Sequence, residues 1–141
     1  MENSHDREEQ KNAAKLFDAE LRLMELLWLQ GTMPAKEITA LARTRIGWNK
    51  NTTYTVLNKL AAKGTLSRSE PGFVCTPLVS REEVLRQEIS TLITRFCWGS
   101  AKSFFSAFVE AQSLSWWELD ELEQLIADRK NAALDAASDT L

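Results

Sequence analysis

A Pro-Gly turn at residues 71–72 interrupts a sequence that otherwise carries helical patterns. Short β-prone runs flank the turn, which predicts a hairpin with strands at about residues 65–70 and 73–78. Three segments with helical spacing of apolar residues precede the hairpin, and two follow it. Three helices followed by a two-stranded wing is the order of elements in a winged helix-turn-helix domain. The sequence therefore predicts a mainly α fold of this kind.

The three segments before the hairpin each carry one apolar face. In the first two segments that face is formed by Leu21, Met24, Leu27 and Trp28, and then by Ile38, Leu41 and Ala42. The third segment spans residues 49–63, with Asn49 as its N-cap and Gly64 as its stop. Residues 1–15 are polar and lack such spacing, which predicts a flexible tail. The winged domain is therefore expected at residues 16–79.

Two capping boxes predict where the later helices begin. They are Ser80 to Glu83 and Ser115 to Glu118, each with the S-x-x-E pattern. The first helix is predicted to continue past Gly99 and through Phe108. The second is predicted to fray beyond residue 134, so residues 80–134 form a helical region and residues 135–141 a frayed end.

Carboxylates are missing from one long segment of this acidic chain. The protein has 17 Lys and Arg against 20 Asp and Glu, yet none of those acids lies between Ile38 and Ser69. The basic residues of this interval are Arg43, Arg45, Lys50, Lys59, Lys63 and Arg68. Because carboxylates repel a phosphate backbone, their absence favours DNA as the partner. From Glu110 onward eight acids face two bases, so that end is expected to avoid DNA.

Helical spacing divides the third segment into two faces. Thr53, Val56, Leu57, Leu60 and Ala61 are expected in the core, and Asn51, Tyr54, Thr55 and Asn58 lie opposite them. Amides can bond adenine in two places, and threonine offers a hydroxyl and a methyl group to thymine. Lys50, Lys59 and Lys63 frame this face, and lysines at such a rim suit phosphates. Arg68, beside the wing turn, is expected to reach a phosphate or the minor groove. The residues predicted to contact DNA are Arg43, Lys50, Asn51, Tyr54, Thr55, Asn58, Lys59 and Arg68.

No constellation for catalysis or metal binding accompanies this surface. The chain has one histidine, His5, and five glycines that form no phosphate-binding loop. Cys75 and Cys97 lack a CxxC pattern and are predicted to be buried free thiols. An enzyme is therefore not predicted, and neither is a metal or cofactor. No apolar run approaches the ~20 residues of a membrane span, and the polar amino terminus is no signal peptide, which predicts a cytoplasmic protein.

The helices after Ser80 carry apolar stripes that need a partner surface. A twofold symmetric homodimer would bury such stripes. Its two DNA-binding domains would then match a palindromic operator, whose half-sites have the same symmetry. Packing of both helices onto the winged domain of the same chain is the alternative. The residues predicted to meet across the dimer axis are Leu85, Ile89, Leu92, Phe96, Phe104, Phe108, Leu122 and Ile126.

Four stretches of the sequence resemble the penicillinase repressor (BlaI/MecI) family. They are "DAELRLMELLW", "GWNKNTTYTVLNKLAAKG", "TPLVSREEVLRQE" and "FVEAQSLSWWELDELEQLI", and the similarity runs from about Leu16 to Ile126. The spacing of Trp48 and Thr52 belongs to the pattern. The resemblance implies a dimeric winged-helix repressor whose amino domain binds operator DNA and whose carboxyl helices dimerise. It also implies that Thr52 lies at or beside the DNA.

Release from the operator is a further implication of the resemblance. Many members are released when a membrane sensor-protease pathway triggers cleavage in the dimerisation region, and the aligned bond is Ala107–Phe108, where the best-known members have Asn before Phe. Members often carry a basic residue in place of Tyr54, and a longer, more basic wing. The cysteine-rich motif of the related copper-responsive repressors is missing here. A rival hypothesis is a protein-interaction module that uses the polar face of helix 49–63 without binding DNA.

Overall fold

The computed structural model describes residues 4–139 and has the predicted mainly α, winged-helix architecture. Its elements are α1 (Ser4–Ala14), α2 (Asp18–Gln30), β1 (Met33–Pro34), α3 (Ala35–Arg45), α4 (Lys50–Ala62), β2 (Leu66–Ser69), β3 (Val74–Pro77), α5 (Arg81–Phe96), α6 (Ala101–Ala111) and α7 (Trp116–Asp139). The chain divides into two compact units, one ending at Leu92 and the other beginning at Ile93. The winged domain predicted for residues 16–79 lies within the first unit, and its exact boundary stays a prediction.

The core of the first unit joins the apolar faces of α2, α3 and α4. The large side chains with less than 2% exposure include Leu23, Met24, Leu27, Ile38, Leu57, Leu60 and Leu66. Their spacing within each helix is the 3–4 residue repeat that places side chains on one face. This packing fixes the rotation of α4 about its own axis, and so it decides which α4 residues face outward.

The wing hairpin, formed by β2 and β3, belongs to a three-stranded antiparallel sheet in the order β1-β3-β2. The predicted hairpin is present, with Ser67 opposite Thr76 and Arg68 opposite Cys75. The short strand β1 adds an edge that the sequence did not predict, and its Met33 pairs with Cys75. Two residues carry no periodicity of their own, so only the pairing with β3 defines this strand.

Helix α1 occupies part of the segment that was predicted to be a flexible tail. It buries Ala13 and Ala14 against the core. The hydroxyl of Thr65, at the start of the wing, donates a 2.6 Å hydrogen bond to the carbonyl of Ala13. The prediction was wrong for residues 4–14, because a helix that buries only alanines shows no stripe of large apolar residues. Residues 1–3 of the predicted tail lie outside the described residues.

A turn at Trp98 and Gly99 separates α5 from α6, so the predicted continuous helix is wrong. Both residues have positive φ, 48° and 78°, and such angles end an α-helix. The N–H of Gly99 donates to the carbonyl of Ile93 at 3.0 Å, which closes the end of α5. Ser100 then caps α6, its hydroxyl oxygen accepting the N–H of Ser103 at 3.1 Å.

Both predicted capping boxes are present at the starts of α5 and α7. The Ser80 hydroxyl accepts the N–H of Glu83 at 3.0 Å, and the Ser115 hydroxyl accepts the N–H of Glu118 at 3.3 Å. Each glutamate also accepts the backbone N–H of its serine, at 3.3 Å in both boxes. Helix α7 runs to Asp139, whereas fraying was predicted from residue 135. Residues 140–141 of that predicted end lie outside the described residues.

Candidate nucleic-acid interface

Helix α4 begins at a side-chain cap inside the acid-free segment. The Oδ1 atom of Asn49 accepts the N–H of Thr52 at 2.8 Å. The Asn49 carbonyl accepts the hydroxyl of Thr53 at 3.1 Å. An asparagine cap satisfies an N–H group that has no partner within the helix. The cap therefore sets the first turn of α4, and with it the positions of the polar residues that follow.

The outer face of α4 is exposed and free of carboxylates. Its exposed side chains include Asn51, Thr52, Thr55, Asn58 and Lys59. On the opposite side, Thr53, Leu57 and Leu60 have no exposed surface. The outer face therefore offers amides, hydroxyls and positive charge, which are the groups that bind base edges and phosphates.

Asn51 and Thr55 are linked on this face. The hydroxyl of Thr55 donates a 2.8 Å hydrogen bond to the carbonyl of Asn51, one turn earlier. This bond engages the hydroxyl proton and leaves the oxygen lone pairs and the methyl group of Thr55 to an external partner. The Asn51 amide keeps both its donor and its acceptor groups on an exposed side chain.

Tyr54 joins α4 to the wing. Its half-buried ring meets Phe73 edge-on, with ring centroids 5.8 Å apart and planes at 83°. The Nζ atom of Lys50 lies 5.8 Å from the centroid of the tyrosine ring. Part of the Tyr54 side chain is therefore buried by internal packing, whereas Asn51 and Thr55 are exposed. The sequence did not predict this contact, because the two aromatic residues lie in different elements.

Arg68 of the wing already has a carboxylate partner. Its Nε and Nη2 atoms both lie 2.8 Å from Oε1 of Glu70. Its guanidinium carbon lies 3.9 Å from the centroid of the Phe73 ring. The hydrogen bond from Arg68, followed by the backbone N–H of Phe73, lowers the pKa of the Glu70 carboxyl below its ordinary value. Arg68, predicted to meet phosphate or the minor groove, is thus held by its own wing.

Lys63 is not part of the exposed face, which corrects the prediction of a lysine rim that included it. Its Nζ atom lies 3.0 Å from Oε1 of Glu20, and these side chains are only 14% and 6% exposed. The same ammonium donates to the carbonyl of Lys15 and lies 5.4 Å from the ring centroid of Phe17. Lys63 therefore ties the end of α4 to the start of α2. The other basic residues of the acid-free segment, Arg43, Arg45, Lys50, Lys59 and Arg68, are exposed.

The residues predicted to form a dimer interface leave much apolar surface uncovered within one chain. Leu85, Ile89, Leu92, Phe96 and Ile126 are exposed, and Phe104, Phe108 and Leu122 are half-buried. Among the described residues of the second unit, 93–139, none is classed as buried. Phe108 contacts Phe104 and Phe105 at centroid distances of 6.4 and 6.3 Å. Large apolar patches of this kind mark interaction surfaces.

The bond aligned with the family cleavage point lies inside α6. Ala107 is exposed and Phe108 is half-buried, and both belong to the regular helix Ala101–Ala111. A protease needs an extended substrate, so this segment would have to open locally before cleavage. The Ala107–Phe108 bond is therefore protected from proteases while α6 is helical.

The two cysteines differ in environment. Both are free thiols, but Cys75 is buried and Cys97 is half-buried, so the prediction of two buried thiols holds for Cys75 alone. Burial raises the pKa of the Cys75 thiol to about 11. Residues 4–139 contain no group of three or more His, Cys, Asp or Glu side chains suited to a metal ion. No helix in the same range is both long and apolar enough to span a membrane.

Comparison with known proteins places the chain in a family. The model of the penicillinase repressor family matches residues 16–128. The penicillinase repressor of Bacillus licheniformis is 28% identical over 123 residues, which cover 86% of this chain and 96% of that protein. The methicillin resistance regulatory protein MecI of Staphylococcus aureus (strain N315) is 24% identical over 114 residues, covering 79% and 93% of the two chains.

A solved structure is also similar to part of the chain. It is the solution structure of the DNA binding domain of the repressor BlaI, with 27% sequence identity and a TM-score of 0.47. The similarity covers 50% of this chain and 89% of that one. Because the family model spans most of the sequence, this protein belongs to the penicillinase repressor family, as the resemblance in its sequence predicted.

Proposed function

We propose that this protein is a transcriptional repressor that binds operator DNA through α4 and the wing, residues 65–78. The observation that carries the proposal is the outer face of α4, which is exposed, uncharged at its centre and free of carboxylates. Membership of the penicillinase repressor family supports the same function. In this proposal α4 enters the major groove, which admits one helix.

The exposed residues of α4 divide into two roles. Asn51, Thr55 and Asn58 contact base edges, because amides and threonine side chains can distinguish bases in the major groove. Lys50 and Lys59 contact phosphates, which position the helix without reading sequence. Thr52, in the first turn of α4, lies where the positive end of the helix dipole favours a phosphate. Arg43, exposed in the last turn of α3, adds a further positive charge.

The repressor acts as a homodimer on a palindromic operator. The uncovered apolar residues of α5, α6 and α7 support this proposal, since a second copy of the chain would remove them from water. Two winged domains related by a twofold axis ask for two half-sites with the same symmetry. The linked half-sites bind more tightly than either one alone, because the second contact becomes intramolecular.

Repression ends by cleavage between Ala107 and Phe108 under cell-wall antibiotic stress, through a membrane sensor-protease pathway. Cutting there would separate α7 from the winged domain. Operator occupancy would then fall although α4 is unchanged, because the avidity of the dimer is lost. The uninterrupted helix across this bond agrees with a substrate that is protected until α6 opens locally.

A cleavage-resistant chain tests the release step. Substitutions at Ala107 that leave α6 folded should keep the repressor full-length, and its target genes silent, in cells treated with a cell-wall antibiotic. A matched substitution at Ala111, the last residue of α6, is the control and should leave release unchanged. If the unmodified protein stays intact while its targets switch on, cleavage is not the release mechanism.

Selection of bound sequences from random duplex DNA tests the central function. The full-length protein should retain duplexes that converge on a consensus with dyad symmetry. A consensus without symmetry would support DNA binding but contradict the proposed homodimer. Retention of no duplex, at any salt concentration, would leave the polar face of α4 as a protein-interaction surface and overturn the proposal.

A further inference from the structure

Five side chains form a continuous series of contacts from α4 to the tip of the wing. Lys50 lies over the ring of Tyr54, Tyr54 meets Phe73 edge-on, and Phe73 stacks beneath Arg68. Arg68 then binds Glu70. Glu70 immediately follows the acid-free segment, which ends at Ser69. The series therefore begins with a cation on the proposed reading helix and ends with an anion on the proposed DNA-facing wing.

The Arg68–Glu70 pair is open to exchange. Its side chains are 50% and 59% exposed, so an external anion can reach the guanidinium without unfolding the wing. An exposed ion pair contributes little to stability, so replacing the carboxylate costs the folded wing little free energy. A phosphate accepts hydrogen bonds from the same guanidinium donors as a carboxylate does. Stacking on Phe73 at 3.9 Å would keep Arg68 in place while its anion is exchanged.

We propose that Glu70 competes with the DNA backbone for Arg68 and so limits the affinity of the wing for DNA of any sequence. In the free protein Glu70 occupies the guanidinium, and on DNA a phosphate replaces it. This inference rests on the proposed DNA-binding function and assigns Glu70 a role within it. Glu70 acts through Arg68 and needs no contact with DNA of its own.

The salt dependence of binding carries the signature of this exchange. When Arg68 moves from Glu70 to a phosphate, the cation that the phosphate releases is offset by one that the freed carboxylate attracts, so the exchange releases no net counterion. With Glu70→Gln no carboxylate is freed, so binding releases about one more cation, and the slope of log K against log salt steepens by about 0.9 for each wing bound. If the two proteins bind alike near ~1 M salt, a 0.9 difference in slope corresponds to about eightfold tighter binding at ~0.1 M.

Glu25→Gln is the matched control. Glu25 of α2 pairs with Arg81 of α5 at 3.2 Å in an exposed ion pair of the same unit, so the variant removes the same charge and breaks the same kind of pair between residues that belong to neither α4 nor the wing hairpin. Wild type, Glu70→Gln and Glu25→Gln are compared by fluorescence anisotropy on one selected and one scrambled duplex over a range of salt. Glu70→Gln should show the steeper slope on both duplexes, and Glu25→Gln should match wild type. Glu70→Gln should leave the wing folded, because the Gln side-chain oxygen can still accept the N–H of Phe73. NMR spectra of the backbone amides check that each variant keeps the wing.

Arg68→Gln separates exchange from simple repulsion. If Glu70 only repelled phosphates, its neutralisation would raise affinity whether or not Arg68 is present. The proposed exchange predicts that Glu70→Gln gains nothing beyond the Glu25→Gln control when it is made in the Arg68→Gln background. A gain that persists there, or no gain in the single variant, overturns the inference while DNA binding by the wild type still stands. If the wild type binds no duplex, the proposed function and this inference fall together.

Discussion

Asn51 and Thr55 lie one turn apart on α4, and they are the residues on which sequence recognition chiefly depends in this account. The hydrogen bond from Thr55 to the Asn51 carbonyl fixes the threonine rotamer, so its methyl group and lone pairs face one direction. Neither side chain contributes to the core, because both are exposed. Substituting them should therefore change DNA recognition and leave folding nearly untouched.

Asn51→Ala and Thr55→Ala test this residue-scale role. Each should weaken binding to the selected operator by about 1–3 kcal/mol, the value of a good base contact. The loss on scrambled DNA should be much smaller, and the free energy of unfolding should change by less than about 0.5 kcal/mol. Equal losses on the two duplexes would show that α4 does not read base edges.

Cys75 and Cys97 provide a residue-scale test of burial. The thiolate is the reactive form, and a pKa of about 11 keeps Cys75 protonated at pH 8 to 9, where an ordinary thiol already ionises in part. We expect a thiol reagent at pH 8 to modify Cys97 first, and Cys75 only as the protein unfolds. Single-cysteine variants in denaturant should react at similar rates. Faster reaction of Cys75 in the native protein would contradict its buried position in β3.

At the scale of elements, the sequence predicted what local signals determine. Helices α2, α3 and α4 have apolar faces of regular spacing, and the Pro71-Gly72 turn marks the hairpin. Strand β1 was missed because its two residues become a strand only through β3. The link between Lys63 and Glu20 was missed for the same reason, since 43 residues separate them. The spacing of residues along α4 could not predict that Lys63 pairs with Glu20 inside the fold while Lys59 is exposed.

Lys59 and Lys63 form a natural pair for an experiment at this scale, because they carry the same charge on the same helix. Lys63→Met leaves the Glu20 carboxylate buried without its cation and should lower the free energy of unfolding by about 2–3 kcal/mol. Lys59→Met should leave stability unchanged and reduce the slope of log K against log salt by about 0.9 per half-site. Denaturant unfolding and anisotropy measure the two effects. Similar stability for both variants would contradict the assigned contact of Lys63.

At the scale of the whole molecule, the acid-free segment and the unburied apolar surface lie in different parts of the chain. The acid-free segment Ile38–Ser69 lies in the first unit, whereas the second unit carries the acidic residues from Glu110 onward. The second unit has no buried side chain among residues 93–139. A segment this poor in core needs further burial to hold its structure. Dimerisation is the proposed source of that burial.

Leu122→Asp tests the assembly. An unpaired carboxylate in the proposed interface should cost several kcal/mol, and sedimentation should then show a monomer with weaker operator binding. Leu134→Asp is the matched control, because Leu134 also lies on α7 but outside the predicted dimer residues, and it is 57% exposed. The control should remain dimeric. A folded Leu122→Asp variant that also remains dimeric would refute the assignment of α7 to the interface.

The most direct measurement of the central claim is a map of the DNA-bound surface on the wild-type protein. Amide resonances are followed by NMR while a duplex obtained by selection is added to the ¹⁵N-labelled protein, and a scrambled duplex serves as the reference. We expect the largest shifts on α4, at Asn51, Thr55 and Asn58, and on the wing at Arg68, with smaller shifts for the scrambled duplex. Shifts confined to α7, or α4 resonances that do not move while the duplex binds, would contradict this expectation.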